Sequence, residues 1–266
     1  ANIVRIEDLR HESDTLFIAM EFVDGLDLRE ILRGASKKKL KIPPDIALFV
    51  SMEILRALDY AHTFRFQSEA GESVGIVHRD VSPSNVLLSF EGEVKLCDFG
   101  IAKSYEGLDD RADDQELPLG MVEGKAGYMS PEQARGEPLD GRADVFAAGI
   151  ILWELLTGRK LYKAGDGESL FDIARRGAVK PLPELGLPSE HALSAILERA
   201  LARNREDRYS TALEFARALE KASPGLIWHP EQTAELGVAR RCERVRSGEV
   251  DGLAREDPQS SHRLLS

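Results

Sequence analysis

Apolar positions change their period along this chain. Residues 2–6 and 15–23 alternate as two strands with a polar loop between them, and Asp24-Gly25 closes the second. Leu26 to Arg33 reads as a short helix, and Ser36 to Lys41 as a solvated turn rich in lysine. A long helix follows. Pro43, Pro44 and Asp45 suit its first turn, and Ile46, Phe49, Val50, Ile54, Ala57, Leu58 and Ala61 share one face. The stretch "VLLSFEGEVKLCD" reads as a hairpin turning at Glu91-Gly92. Residues 101–127 are irregular and acidic, and so long a loop points to function or disorder. Helical periods then return at 143–157, 168–176, 189–203 and 210–221. After Ser223 the pattern fades into a tail, 224–266, with one short helix near 230–245. The order predicts an α+β chain: a small strand-rich start before a larger helical body. No internal repeat is present.

Bulk numbers narrow the class. A length of 266 residues suits one large domain or two small ones. A net charge of −11 argues against non-specific nucleic-acid binding, which needs a basic footprint. Cys97 and Cys242 are too few for a disulfide framework, so a reducing, cytoplasmic setting is expected. The apolar run from Val145 to Trp153 is too short to span a bilayer. The chain opens on Ala1 and is strand-like at once, so a true N-terminus upstream is expected.

Candidate chemistry gathers in "IVHRDVSPSNVLL", residues 76–88, where a polar loop holds Asp80 and Asn85 between apolar runs. A two-residue turn at Glu91-Gly92 sets Asn85 opposite Asp98. A carboxamide and a carboxylate would then stand side by side, with Asp80 just before them. Mg²⁺ prefers oxygen ligands and is held by few carboxylates plus substrate phosphates. A further carboxylate near such a site can accept a proton from an attacking hydroxyl, which equips the loop for phosphoryl transfer.

"HRDVSPSN" followed by "DFG" resembles the catalytic loop and metal-binding motif of eukaryotic-type protein kinases. Other segments match in order. "GYMSPE" (Gly127 to Glu132) resembles the A-P-E segment, and "DVFAAGIILWELLTGRKLY" (Asp144 to Tyr162) the helix that anchors the catalytic loop. "NREDRYS" (Asn204 to Ser210) resembles the late segment whose arginine pairs with the A-P-E glutamate, and "LFIAMEFVDGLDL" the strand and hinge that hold adenine. The resemblance covers roughly residues 1–222 and is closest to bacterial serine/threonine kinases. It implies a protein-kinase-like fold with a truncated β-rich small lobe: 1–23 a remnant of that lobe and the hinge, 24–222 the large lobe, and 223–266 a tail or linker.

The resemblance also implies ATP and Mg²⁺ as cofactors, a protein as substrate and a role for each residue. Asp80 accepts the proton of the substrate hydroxyl, and Asn85 and Asp98 hold Mg²⁺. Phe99 packs, and Gly100 allows the motif's turn. His78 is a packed residue, and Arg79 meets an anion in the activation segment. Glu132 pairs with Arg208 in the interior. Asp144 accepts hydrogen bonds from the loop backbone. Met20 is the gatekeeper, the backbone of Glu21 and Val23 meets adenine, Asp27 bonds the ribose, and Leu87 lies under the ring.

Three departures stand out. The position two after the catalytic aspartate, usually lysine, is Ser82, and a position usually threonine is Lys125, in "GKAGYMSPE". Lysine and hydroxyl would have exchanged places, Lys125 supplying the cation near the transferred phosphate and Ser82 a hydroxyl to Asp80. The segment from Gly100 to Tyr128 holds no threonine and only Ser104 as serine, among many acids, which predicts regulation independent of threonine phosphorylation there. No Gly-rich loop, ATP-anchoring lysine strand or partner glutamate precedes the hinge. Two other readings follow: a catalytically incomplete binding module, and a small-molecule phosphotransferase with a related core. The "MSPE" and "DVFAAG" segments speak against the latter.

Overall fold

The structure, a computed structural model, describes residues 2–12, 15–65, 75–99, 125–165, 167–187 and 189–224. Two strands open it, β1 (Ile6–Glu12) and β2 (Thr15–Met20), paired antiparallel from Ile6–Met20 to Glu12–Thr15 with an irregularity between Ile6 and Asp8. The first strand thus lies later than the alternation predicts. Apart from Ile6 and Leu9 its residues are polar, and the whole of β1 is exposed, so no buried face imprints a period on the sequence. The apolar residues before it go elsewhere. Ile3 bridges to Leu96, and Val4 N donates to Leu96 O at 3.0 Å.

A three-stranded antiparallel sheet follows, in the order β3 (Gly25–Asp27), β4 (Val86–Ser89) and β5 (Val94–Leu96). Leu26, read as helical, belongs to β3. Helix α1 (Leu28–Lys37) starts after Asp27, whose carboxylate accepts from Glu30 N at 2.7 Å and satisfies one orphan donor of the first turn.

The β4–β5 register differs from the expected one by one residue. Val86 faces Leu96 and Leu88 faces Val94, which sets Asn85 opposite Cys97, not Asp98. The cause is the loop. Ser89 N donates to Glu93 O at 2.9 Å, so Phe90, Glu91 and Gly92 form a three-residue connection. Gly92 takes φ +93°, the left-handed position such loops place on glycine.

The helical body is built on α2 (Pro44–Thr63) and α4 (Gly141–Thr157), with α3 (Pro131–Ala134) leading into it and α5 (Leu170–Arg176), α6 (Glu190–Ala200) and α7 (Ala212–Ala222) completing it. Helix α4 is buried on all sides from Ala143 to Leu156 and runs through the centre. Asp140 caps its start by accepting from Arg142 N at 2.9 Å, and Gly158 ends it in the left-handed region at φ +65°. Helices α2 and α7 pack together, and both touch α4. Single serines or threonines cap three further helices: Ser130 for α3, Ser169 for α5 and Thr211 for α7. No helix among the described residues is long and apolar enough to cross a membrane.

Candidate active site

The loop bearing Asp80 is fastened from below by one buried carboxylate. Asp144, in the first turn of α4, accepts from His78 N at 2.8 Å, Arg79 N at 2.9 Å and His62 Nε2 at 2.7 Å. A carboxylate this buried needs such a donor set to remain in the interior. Its grip also offsets local strain, since Arg79 sits at φ +65°, a conformation costly for a residue with a Cβ. Gln133 Nε2 donates to Arg79 O at 2.6 Å and ties the loop to α3. His62 and Gln133 carry no local signal of these roles in the sequence. Only the packing of α2, α3 and α4 brings them in.

His78 is fully buried and braced on both ring nitrogens. Nε2 donates to Cys97 O at 2.9 Å, and Nδ1 accepts from Asp80 N at 3.3 Å. Phe99 packs on it with ring centroids 4.4 Å apart. The His78 side chain is committed to architecture and is not free to act as a base. The Arg79 guanidinium is exposed and has no ion-pair partner among the described residues. Its expected partner, Ser104, Gly100 and the proposed helix near 230–245 all lie outside them.

Asn85 closes the loop from the other end. Its Nδ2 donates to Asp80 O at 2.8 Å and reaches Asp80 Oδ2 at 3.2 Å. With both amide protons turned to Asp80, the carboxamide oxygen is left to face elsewhere. Asp98 follows Cys97, the residue opposite Asn85, and stands at φ +59°. The altered register alone would turn Asp98 from Asn85's neighbour into the next residue along. The left-handed turn at 98 redirects the chain there, a strained conformation that residues at functional sites often carry. Asp98 is exposed, and no hydrogen bond or ion pair engages its carboxylate among the described residues.

This donor set fits Mg²⁺. Among the described residues no group of three or more His, Cys, Asp or Glu is arranged to hold a metal. A cation here would rest on one carboxylate, one carboxamide oxygen and the phosphates of a nucleotide, the sparse all-oxygen coordination that suits Mg²⁺. Cys97, between the two, is no competitor. Burial and then the Asp98 charge push its thiol up to about 12.

Lys125 and Ser82 part company. Lys125 Nζ contacts Asp80 Oδ2 as an ion pair, whereas the Ser82 hydroxyl hydrogen-bonds Ser84 Oγ at 3.0 Å and is buried. The expected Ser82–Asp80 hydrogen bond is not formed here; the hydroxyl is engaged by Ser84. The Ser82 backbone is fully extended before the turn Pro83–Asn85, which aims the side chain along the loop and onto Ser84.

The strand β2 and the stretch after it carry the remaining candidates. Met20 ends β2 and is exposed. The N–H of Glu21 is taken by Arg5 O at 3.0 Å, and its carboxylate pairs with Lys95 Nζ at 3.0 Å, so its backbone carbonyl is what it has to offer. The Arg5 N–H, then Lys95, hold that carboxyl below the usual range. The backbone groups of Val23 have no partner among the described residues. Asp27 commits Oδ1 to the α1 cap, which leaves Oδ2, 3.4 Å from Arg29. Leu87 is half-buried in β4, between Asp27 and Lys95.

Glu132 and Arg208 form a two-pronged buried pair, Nη1–Oε1 2.6 Å and Nη2–Oε2 2.7 Å. Arg208 is 2 % exposed, and its other donors go to the carbonyls of Ala202, Arg142 and Arg203. Its guanidinium also lies over the Phe146 ring. Burial raises the Glu132 carboxyl, but the Arg208 hydrogen bonds and charge outweigh it and hold the group below its usual range. A second cluster, with Tyr128 and Glu154 buried and Lys160 at its exposed edge, carries no signal in the sequence. Tyr128 donates to Glu154 Oε2 at 2.8 Å, and Lys160 reaches both.

Comparison with known proteins shows the family. Residues 1–220 match the family described as protein kinase domain. The chain is 41 % identical over 219 residues to the tyrosine-protein kinase MasK of Myxococcus xanthus, covering 82 % of this chain and 33 % of that protein. It is 38 % identical over 202 residues to the probable serine/threonine-protein kinase PknB of Bifidobacterium longum, covering 75 % of this chain and 26 % of that one. The crystal structure of the Mycobacterium tuberculosis PknI kinase domain superposes with a TM-score of 0.56 at 28 % identity, over 83 % of this chain and 72 % of that one. The chain spans about a third of the length of the curated relatives it matches.

Proposed function

The chain belongs to the protein kinase domain family, and on that premise we propose that it transfers the γ-phosphate of ATP to serine or threonine hydroxyls of a protein. The observation that carries this reading is the loop itself: Asp80 and Asn85 locked to each other by the 2.8 Å hydrogen bond, on a backbone pinned by Asp144. Catalysis of phosphoryl transfer is mostly positioning and charge neutralisation, and a base held this firmly needs little reorganisation when the hydroxyl arrives. Asp80 accepts the hydroxyl proton. The Asn85 carboxamide oxygen and Asp98 would hold Mg²⁺, which when bound neutralises charge on the nucleotide phosphates. The Glu21 carbonyl and the Val23 backbone meet the adenine edge, Met20 borders it, Leu87 lies beneath, and Asp27 Oδ2 reaches the ribose. In this division residues 1–23 contribute the hinge and 24–222 the catalytic lobe.

A second acceptor is tyrosine, a reading favoured by the Myxococcus relative, which is named a tyrosine-protein kinase. Phosphoamino-acid analysis of a protein substrate labelled from γ-³²P ATP tests both. Phosphoserine or phosphothreonine is expected, with a loss of about 10³-fold or more in kcat for Asp80→Asn. Phosphotyrosine alone transfers the acceptor assignment to the second reading. Equal labelling by Asp80→Asn contradicts the role of Asp80.

A further inference from the structure

Two donors share one oxygen of the Asp80 carboxylate. Lys125 Nζ contacts Oδ2, and Asn85 Nδ2 reaches the same atom at 3.2 Å. No contact among the described residues falls on Oδ1. The side chains of Lys125 and Asp80 are 47 % and 26 % exposed. An ion pair this open adds little to folding stability, because solvent screens it and ordering a long side chain opposes it. Its value is positional.

The segment that delivers Lys125 is, by contrast, deeply anchored. Tyr128 N donates to Lys125 O at 3.0 Å, and the Tyr128 hydroxyl is buried against Glu154 of α4. Glu154 is completed by Lys160 Nζ at 2.8 Å and Leu161 N at 3.2 Å. Ser130 caps α3, and Glu132 is clamped by Arg208. An exposed ammonium is thus held over the candidate base by a buried scaffold 45 residues downstream of it. At position 82 of the loop stands a serine whose hydroxyl is taken by Ser84.

We propose that Lys125 is a positioning residue for Asp80: it fixes Oδ2, leaves Oδ1 to the acceptor hydroxyl, and brings a positive charge beside the phosphate in transfer. The cation does not belong to the catalytic loop, so alignment of the base is conditional on the placement of 125–132. The Tyr128–Glu154–Lys160 cluster thereby acts on the reaction through Lys125. This inference rests on the kinase reading above.

The test compares wild type, Lys125→Ala, and Lys125→Ala combined with Ser82→Lys, each with and without methylamine. Lys125→Ala is expected to lower kcat by about 10²–10³ while KM for ATP stays within about threefold. Methylamine, or the lysine at 82, restores at least about tenfold of the loss, a response that a merely structural defect does not give. A kcat within about threefold of wild type overturns the inference, as does a loss that neither replacement relieves. A carbodiimide cross-link between Lys125 and Asp80, read by mass spectrometry, reports the contact without any activity. Its absence from the folded protein overturns the inference. A wild type that forms the cross-link but transfers no phosphate overturns the kinase reading and leaves the contact standing.

Discussion

Glu132 and Arg208 show what a single buried pair does for this molecule. The carboxylate lies in the interior, and its partner guanidinium is hydrogen-bonded on every side. Replacing Glu132 by alanine leaves that guanidinium buried without its counter-charge, which costs about 3–5 kcal/mol. Urea unfolding should show the midpoint fall accordingly. The pH dependence has a defined sign. Glu132 is held below its ordinary value in the folded state, so the pair's contribution is fully present above the unfolded carboxyl's range and is lost as pH falls through the lower folded value. The stability gap between wild type and Glu132→Ala should be constant near neutrality and narrow only in acid. A gap that narrows as pH rises would contradict this account. At this scale part of the candidate site's placement was legible in the sequence: Glu132 pairs with Arg208, Asp144 accepts from the loop backbone and Asp80 meets Asn85, as the motifs predict. His62, Gln133 and the Tyr128–Glu154–Lys160 cluster were not, because each reaches its partner through the packing of distant helices.

Among the elements, legibility followed burial. Helices α2, α4, α5, α6 and α7 lie within a few residues of the positions their periodicity predicts, because each presents an apolar face or is apolar throughout. Strand β1 was missed because all seven of its residues are exposed. The β4–β5 register was missed by one because Glu91-Gly92 reads equally as the end of a three-residue loop, and which turn forms is decided by the Ser89–Glu93 pairing. That pairing makes Gly92 a point of control for the site. Gly92→Ala places a Cβ at φ +93° and should cost about 1–2 kcal/mol, seen as a lower denaturation midpoint. It should also weaken nucleotide binding, because β5 leads directly into Cys97 and Asp98. An unchanged midpoint would mean that the loop relaxes to another turn. Asp140 offers a comparison away from the site. Removing its cap of α4 with Asp140→Ala should cost about 1 kcal/mol without altering nucleotide affinity, by the same denaturation and binding measurements.

Across the whole molecule, one buried helix organises both stability and chemistry. Helix α4 offers Asp144 to the loop bearing Asp80 from its first turn, Phe146 to the Arg208 guanidinium, and Glu154 to Tyr128 from its last turns. The strand-rich start contributes β1, β2 and the candidate hinge, Ile3 and Val4 join it to Leu96 of β5, and Ile6, Phe17 and Met20 of the hairpin are each exposed. In the proposed function, nucleotide recognition rests on a few backbone groups and on the Asn85 and Asp98 oxygens, with little else among the described residues to share the task. Calorimetric titration of the protein with ATP, with and without Mg²⁺ and with Asp98→Asn as control, tests that claim most directly. The account predicts binding that depends on Mg²⁺ and is lost in the variant. No binding by a well-folded chain, or equal binding by Asp98→Asn, would contradict it.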